Sequence, residues 1–313
     1  MRRTPPRVGL NLIDEEAFRV AALPLFEAGL VDALEVDIDN EWGRSRGRGA
    51  ARPAWQTELL DLYADADALY GHGVWFSLLT ARLDDRQHLW LELLAEECQR
   101  RRYRHVTEHF GWMTSGPFVQ NTLFPLPYTP GAVTLGRDRL RLLAEAARCP
   151  VGLENLATAL GPADATEQAA FLGEILTPSK GVLILDVHNV WTQAVNLGLP
   201  AEELLRGYPF HLVRELHVSG GSWFQPEHAA DRRPIRMDTH DGAMPRAEVL
   251  PLLATALARC EHLEVVIYER RGVLGSAAER ATYRDDFLAV RDVVEQAFAS
   301  GGTDEATNEE HAA

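Results

Sequence analysis

The sequence predicts an α/β fold, a closed barrel of eight parallel strands wrapped by helices. Three observations predict it: eight short apolar runs, helical patterns between them, and a histidine or carboxylate near the end of six consecutive runs. The runs are Val8–Leu12, Ala33–Val36, Leu69–Phe76, His105–His109, Val151–Glu154, Val182–Asp186, Val213–Val218 and Val265–Tyr268. Each is short, apolar and often β-branched, as expected of strands buried on both faces. The intervening segments include helical patterns over Asp85–Arg102, Arg137–Arg148, Glu167–Leu176, Ala247–Arg259 and Ala277–Ala299, with Asp84 and Thr166 placed as N-caps. Strand and helix in alternation imply parallel βαβ units. Eight units fit a closed barrel of ~250 residues with insertions. An open doubly wound sheet fits less well, because no Gly-rich phosphate loop follows the first run. We therefore expect one domain over residues 1–299 and a disordered acidic tail over 300–313.

Composition narrows the function. The chain has 313 residues, 46% hydrophobic and 25% charged, enough for a large core without disulfides. Its formal charge of −15 repels phosphate backbones, so general nucleic-acid binding is not expected. Cys98, Cys149 and Cys260 are widely spaced and odd in number, and match neither a zinc motif nor a disulfide framework. No run reaches the ~18 apolar residues of a spanning helix, so no membrane association is expected. The segment from Met1 to Arg7 leads into no signal-peptide core. A reducing, cytoplasmic location follows as the expectation.

The chemistry sits where the strands end. His72 lies in the third run and His109 ends the fourth; Glu154-Asn155 ends the fifth and Asp186-Val187-His188-Asn189 the sixth. His217 ends the seventh, a loop brings Asp238-Thr239-His240-Asp241, and the eighth ends Tyr268-Glu269-Arg270. In a barrel these ends converge on one mouth. A lone strand-end histidine is usually a satisfied core residue, and His88, His105, His211, His262 and His311 are read that way. Joint placement is what lifts the others. His72, His109, Glu154, Asp186, His217, Asp238, His240 and Glu269 together offer four imidazoles and four carboxylates. Packed carboxylates cannot all ionise without cations between them. Mixed imidazole and carboxylate ligation without thiolate suits iron, zinc or manganese rather than a Cys-rich structural site. Three long loops follow strands and would flank the mouth: Asn40–Pro53 with Arg44, Arg46, Arg48 and Arg52; Phe110–Pro130 with aromatics and prolines; and Val218–Asp238 with Trp223, Glu227 and His228.

These motifs carry a family likeness. Leu34-Glu35-Val36, His72-Gly73-Val74, Glu108-His109-Phe110-Gly111-Trp112, Leu126-Pro127-Tyr128-Thr129, Leu153-Glu154-Asn155, Leu185-Asp186 with Asn189-Val190, Asn196-Leu197-Gly198, Glu215-Leu216-His217, Asp238-Thr239-His240-Asp241 and Glu269-Arg270 occur in an order and spacing that is specific. The chain resembles the DUF692 family of multinuclear non-haem iron-dependent oxidative enzymes (MNIO, MbnB-like), within the xylose-isomerase-like TIM-barrel superfamily. That superfamily includes the three-zinc endonuclease IV. The resemblance implies Glu154 bridging two ions, His72 and His109 completing one site, Asp186, His217 and Glu269 a second, and Asp238 with His240 a third. Asn189 is implied as an orienting group or a direct ligand of the third ion. The nuclease has histidine at that position, which favours the oxidative family. The sequence departs from the family pattern at His188, usually Asn; at Gly221, where a histidine usually stands; and at Arg271, usually Asp.

The resemblance implies catalysis by His72, His109, Glu154, Asp186, His217 and Glu269 around two or three iron ions, mixed-valent Fe(II)/Fe(III), with O₂ as co-substrate. The expected substrate is a ribosomally made precursor peptide in natural-product biosynthesis, modified at a cysteine or in its C-terminal region. A separate recognition partner protein is expected. Asn155, His188 and Arg270 would orient ligands, and Trp112, Trp191 and Trp223 either line the substrate pocket or pack between strands and helices. Two other readings remain open: a Zn, Mn or Mg isomerase or hydrolase on the same barrel, and a non-catalytic barrel acting as a binding protein.

Overall fold

A computed structural model describes residues 4–40, 42, 52–116, 118–225, 233–272 and 274–299. Eight parallel strands close into a barrel: β1 (Arg7–Leu12), β2 (Ala33–Asp37), β3 (Leu69–Gly73), β4 (Val106–His109), β5 (Val151–Glu154), β6 (Val182–Asp186), β7 (Val213–Ser219) and β8 (Val265–Glu269). Each strand pairs with its sequence neighbours, and β8 closes on β1. The helices are α1 (Glu16–Glu27), α2 (Ala54–Asp65), α3 (Asp85–Arg100), α4 (Pro130–Ala147), α5 (Pro162–Leu176), α6 (Val187–Leu197), α7 (Ala201–Arg206), α8 (Arg246–Arg259) and α9 (Ala277–Ala299). The expected barrel is thus the observed one. Among the described residues no helix is long and apolar enough to cross a membrane.

Alternation along each strand divides the protein into two environments. Outward side chains such as Leu10, Leu34, Val36, Val106, Leu153, Leu183, Leu185, Leu216 and Val266 join one continuous apolar core with the helices. Inside the barrel, Ala33, Tyr70, Val265 and Ile267 form a separate small apolar cluster. Much of the remaining interior is polar, with Asn11, Glu35, His72, His105, Thr107, Glu154, Glu215 and His217 all buried. Barrel interiors are ordinarily filled by branched apolar side chains. A polar interior costs stability unless its groups compensate one another.

Several boundaries differ from expectation. The third strand stops at Gly73, three residues early, because the backbone of Val74 and Trp75 turns to donate to the Asp39 carboxylate. Helix α4 begins at Pro130 rather than Arg137: Thr129 caps it by accepting from Ala132 N, and Pro130 sits at the first turn, where its missing N–H costs nothing. Likewise α5 begins at Pro162 after Gly161, so Thr166 is not an N-cap; it lies inside the helix and its hydroxyl donates to Pro162 O. Asp84 does cap α3, in a reciprocal box with Gln87. The expected loop over Phe110–Pro130 contains an antiparallel hairpin, Trp112–Ser115 with Phe118–Phe124. A second, Trp223–Phe224 with Ile235–Arg236, lies in the loop after β7. Arg44, Arg46, Arg48, Glu227, His228, His311 and the tail over 300–313 lie outside the described residues.

The barrel wall is tightest at Gly152 in β5. A Cβ there would stand 2.1 Å from the Val182 carbonyl oxygen of β6. Gly152→Ala should therefore destabilise the fold by about 1–3 kcal/mol through overpacking. The urea midpoint should fall with the slope unchanged; an unchanged midpoint would contradict this packing.

Candidate metal centre

Strand register brings the donor residues together. His109 pairs with Glu154 across β4 and β5, Asp186 with His217 across β6 and β7, and Asp37 with His72 across β2 and β3. Glu154 is the hub. Its Oε2 lies 3.1 Å from His72 Nε2 and 3.2 Å from His109 Nε2. Its Oε1 lies 3.5 Å from His217 Nδ1, which is 3.1 Å from Glu269 Oε2. Two donor groups result, His72/His109/Glu154 and Glu154/Asp186/His217/Glu269, the donor atoms of each lying within 4.8 Å of one another. Glu154 belongs to both.

The surrounding hydrogen bonds aim the imidazoles. Thr107 donates to Gly71 O, so its oxygen accepts from His72 Nδ1 at 2.9 Å and leaves Nε2 facing Glu154. His109 Nδ1 donates to Gly73 O at 3.2 Å, which likewise leaves Nε2 inward. Asp186 caps α6: one oxygen accepts from Asn189 N at 2.8 Å, and the other, Oδ2, has no partner. Asn155 clamps the Asp186 backbone, its Oδ1 accepting from Asp186 N at 2.7 Å and its Nδ2 donating to Asp186 O at 3.1 Å. Asn189 Nδ2 donates to Asn155 O and to Glu154 Oε1, while its Oδ1 is buried without a partner.

A third group stands at the rim. His240 Nε2 lies 2.9 Å from Asp238 Oδ1 and 3.9 Å from Glu269 Oε2. His240 adopts φ +56°, a left-handed conformation uncommon for a residue with a side chain, and its carbonyl accepts from Arg271 N at 2.7 Å. His188 is fully buried, with Nδ1 3.2 Å from Asp238 Oδ1 and Nε2 3.2 Å from Arg236 Nη2. It therefore supports Asp238 rather than facing Glu154. Gly221, where a histidine was expected from the family pattern, packs against Met237: a Cβ would lie 2.2 Å from Met237 O. The missing side chain lets the Asp238–His240 segment approach β7.

Other expected residues fall elsewhere. Arg270 does not orient a ligand. It is buried behind the wall, its Nη1 3.6 Å from Asp286 of α9. The adjacent Arg271 turns to the mouth instead and pairs with Asp37. Trp112 stacks with Phe118 and Phe124 on its hairpin, with ring centroids 5.5 and 5.2 Å away. Trp223 is half exposed and, with Trp191, flanks the Arg236 guanidinium, at 5.8 and 5.1 Å. His105 is not a bland core residue: its Nε2 lies 2.5 Å from Glu215 Oε2 deep in the barrel. Sequence reading missed Glu35, Glu215, Asp37 and Arg271. The signal was alternation, since Glu35 lies two residues before Asp37, and Glu215 two before His217, on the inward face of apolar strands.

Electrostatics fit a site built for cations. Burial disfavours protonation of His72, yet its bond to Glu154 and the charge of Glu35 raise its pKa from 6.5 to about 10. Burial likewise opposes charge on His240, but Asp238 and Glu269 raise it to about 10. His217 is pushed well up against burial by Glu269 and Glu35. His109 goes the other way, burial lowering it to about 4. Asp186 is raised by burial and by the charges of Asp238 and Glu154. Without metal, protons on imidazoles balance the carboxylates. Asp186 Oδ2 and Asn189 Oδ1 have no partner, and Glu154 Oε2, His217 Nδ1 and His240 Nε2 face only other groups of the same cluster; all are the kinds of donor that divalent ions take. The residues fit a multinuclear centre. Above it opens a cleft of about 380 Å³ lined among others by Trp75, Met113, Leu156, Met237, Arg236 and Thr239.

The family model for the RiPP precursor modification enzymes MbnB/TglH/ChrH matches residues 42–281. The chain belongs to this family. Among relatives, a UPF0276 protein of Caulobacter vibrioides is 28% identical over 276 residues, covering 88% of this chain and 89% of the relative. A UPF0276 protein of Paraburkholderia phytofirmans is 31% identical over 140 residues, 44% of this chain; the match spans only 45% of that relative's length. Endonuclease IV from Thermus thermophilus superposes with TM-score 0.54 at 16% identity, over 92% of this chain and 99% of that one. An L-ribulose 3-epimerase superposes with TM-score 0.58 at 13% identity, over 98% and 100%. These superpositions show the fold, a closed barrel of eight parallel strands with helices around it, and the family marks the chain as an enzyme.

The raised imidazoles set a pH dependence. His72 and His240 hold protons at neutral pH without metal, so metal entry must displace them. Zinc titration of the metal-free protein near pH 7, followed by calorimetry in buffers of differing ionisation enthalpy, should register net proton release; none would contradict this electrostatic reading. The stability that these two groups add is present below pH 6.5 and lost as pH rises toward about 10. The melting temperature of the metal-free protein should fall across that window.

Proposed function

We propose that this protein is a multinuclear iron-dependent, O₂-using oxidative enzyme that modifies a ribosomally made peptide at a cysteine or in its C-terminal region. The observation that carries the metal reading is Glu154, a single buried carboxylate shared by two donor groups whose imidazoles turn their free nitrogens toward it. A shared carboxylate of this kind holds two ions at close range. His72, His109 and Glu154 would hold one ion, Glu154, Asp186, His217 and Glu269 a second, and Asp238 and His240, with Asn189 Oδ1 nearby, a third. Bound there, two or three iron ions in mixed Fe(II)/Fe(III) valence would supply the redox chemistry and activation of O₂.

The protein's own groups do the rest. Thr107, Gly73 O and Asn155 fix the orientation of His72, His109 and Asp186. The barrel wall shields Glu154, Asp186, His217 and Glu269 from bulk solvent. The cleft is wide enough for a side chain or a chain terminus and is bounded by the two hairpins that follow β4 and β7. Exposed Phe118, Val119, Trp223, Phe224 and Ile235 on those hairpins suit contact with an extended peptide. A separate recognition partner protein would present the precursor. The family supports the peptide substrate. The alternative of a zinc, manganese or magnesium isomerase or hydrolase shares the barrel and is separated by experiment.

Protein purified without oxygen should carry two or three irons per chain and consume O₂ with its precursor peptide. Stoichiometric zinc, no ferric absorption and no O₂ uptake with candidate peptides would overturn the oxidative reading. His109→Ala and Glu154→Ala should each cost at least one ion while circular dichroism is retained. Unchanged metal content in both would remove the site assignment itself.

A further inference from the structure

Beneath the metal centre the barrel interior holds a second cluster of ionisable groups. Glu35 of β2 and Glu215 of β7 are both fully buried. His217 stands between the two layers. Its Nδ1 faces Glu154 and Glu269 above, and its Nε2 faces Glu35 Oε2 at 3.2 Å and Glu215 Oε1 at 3.4 Å below. The two carboxylates are not equivalent. Glu215 is anchored from beneath by His105, 2.5 Å from its Oε2. Glu35 accepts from Asn11 Nδ2 at 2.9 Å on Oε1, which leaves Oε2 for His217. Asn11 also donates to Asp37 Oδ1 at 3.1 Å, and Asp37 is held by Asn40 and Arg271. Both oxygens of Glu35 are thus committed to donors.

We propose that Glu35, backed by Glu215, is a positioning residue for the metal centre: it holds the Nε2–H of His217 so that Nδ1 keeps a lone pair toward the ions. This rests on the metal reading proposed above. Imidazole has one acceptor nitrogen when neutral, and the group bonded to its other nitrogen decides which one that is. Carboxylates accept only, so a carboxylate at Nε2 forces the proton there. Branched apolar side chains would fill this layer of the barrel at lower cost. A merely space-filling role does not call for two acceptors converging on one ring nitrogen.

Glu35→Gln tests the idea with little change in shape. Glutamine offers one oxygen where Asn11 Nδ2–H and His217 Nε2–H each need one. When the oxygen faces Asn11, its NH₂ faces His217, favouring the tautomer with a proton on Nδ1. Zinc, being diamagnetic, is the probe. In the zinc-loaded wild-type protein, ¹⁵N spectra should show His217 protonated at Nε2 and metal-bound at Nδ1. E35Q should lose zinc affinity at one site by roughly 10–100-fold, and E35D, which keeps the acceptor, should recover most of it. Asp286→Asn, which removes a buried carboxylate remote from the ring, should lower the melting temperature and leave zinc affinity unchanged. Ligation of wild-type His217 through Nε2 overturns the proposal whether or not the variants fold. So does wild-type affinity at every site in a folded E35Q. In both cases the metal centre itself stands. A wild-type protein that binds no metal overturns this inference together with the reading on which it rests.

Discussion

The structure depends on mutual compensation between buried carboxylates and imidazoles inside the barrel. Glu154, Asp186, Glu269, Glu35 and Glu215 are all buried, and each would be costly alone. They persist because His72, His217 and His105 lie between them at hydrogen-bonding range. The same balance leaves Asp186 Oδ2 and Asn189 Oδ1 without partners. An interior arranged in this way is stable enough to fold and incomplete enough to take cations. Fold and chemistry therefore share one constraint: any change in the interior charge alters both.

Register is the means by which the scaffold meets that constraint. Parallel pairing fixes His109 beside Glu154 and Asp186 beside His217, so donor spacing follows from backbone hydrogen bonds rather than from flexible loops. The third donor pair is positioned differently. Asp238 and His240 sit on a loop held by a left-handed His240, by Arg271, and by close backbone contact at Gly220, Gly221 and Gly242. Strand-borne side chains are held rigidly, whereas the loop-borne pair depends on these contacts for its place. The departures from the family pattern cluster there. His188 braces Asp238, Gly221 makes room for the segment, and Arg271 ties the eighth strand to Asp37.

The acidic character of the chain takes on a local meaning. Arg236 and Arg271 lie at the mouth of the cleft, but both are engaged, one by His188 and two tryptophan rings, the other by Asp37. The cleft thus combines carboxylate and imidazole donors with apolar side chains and two guanidinium groups, of which Arg271 is paired with a carboxylate.

The sequence by itself determined the barrel, since eight buried strands in alternation with amphipathic helices have one common closed solution. It also pointed to the eight candidate donors, because strand ends in a parallel barrel must converge wherever they lie along the chain. Only the tertiary structure decided which groups complete the site. Arg270 and Arg271 are adjacent in sequence, and the turn after β8 sends one behind the wall and the other to the mouth. Glu35 and Glu215 stand in sequence motifs that give them no role, and His105 reads as a core residue. They become a unit only where closure of β2, β4 and β7 around a common axis brings three distant segments within hydrogen-bond reach. Helix starts at Pro130 and Pro162 were hidden by the same limit, since proline marks a loop or a first helical turn according to what the following residues pack against. Local pattern specifies elements and ends; the donors below the mouth arise from contacts between residues far apart in the chain, which no single segment encodes.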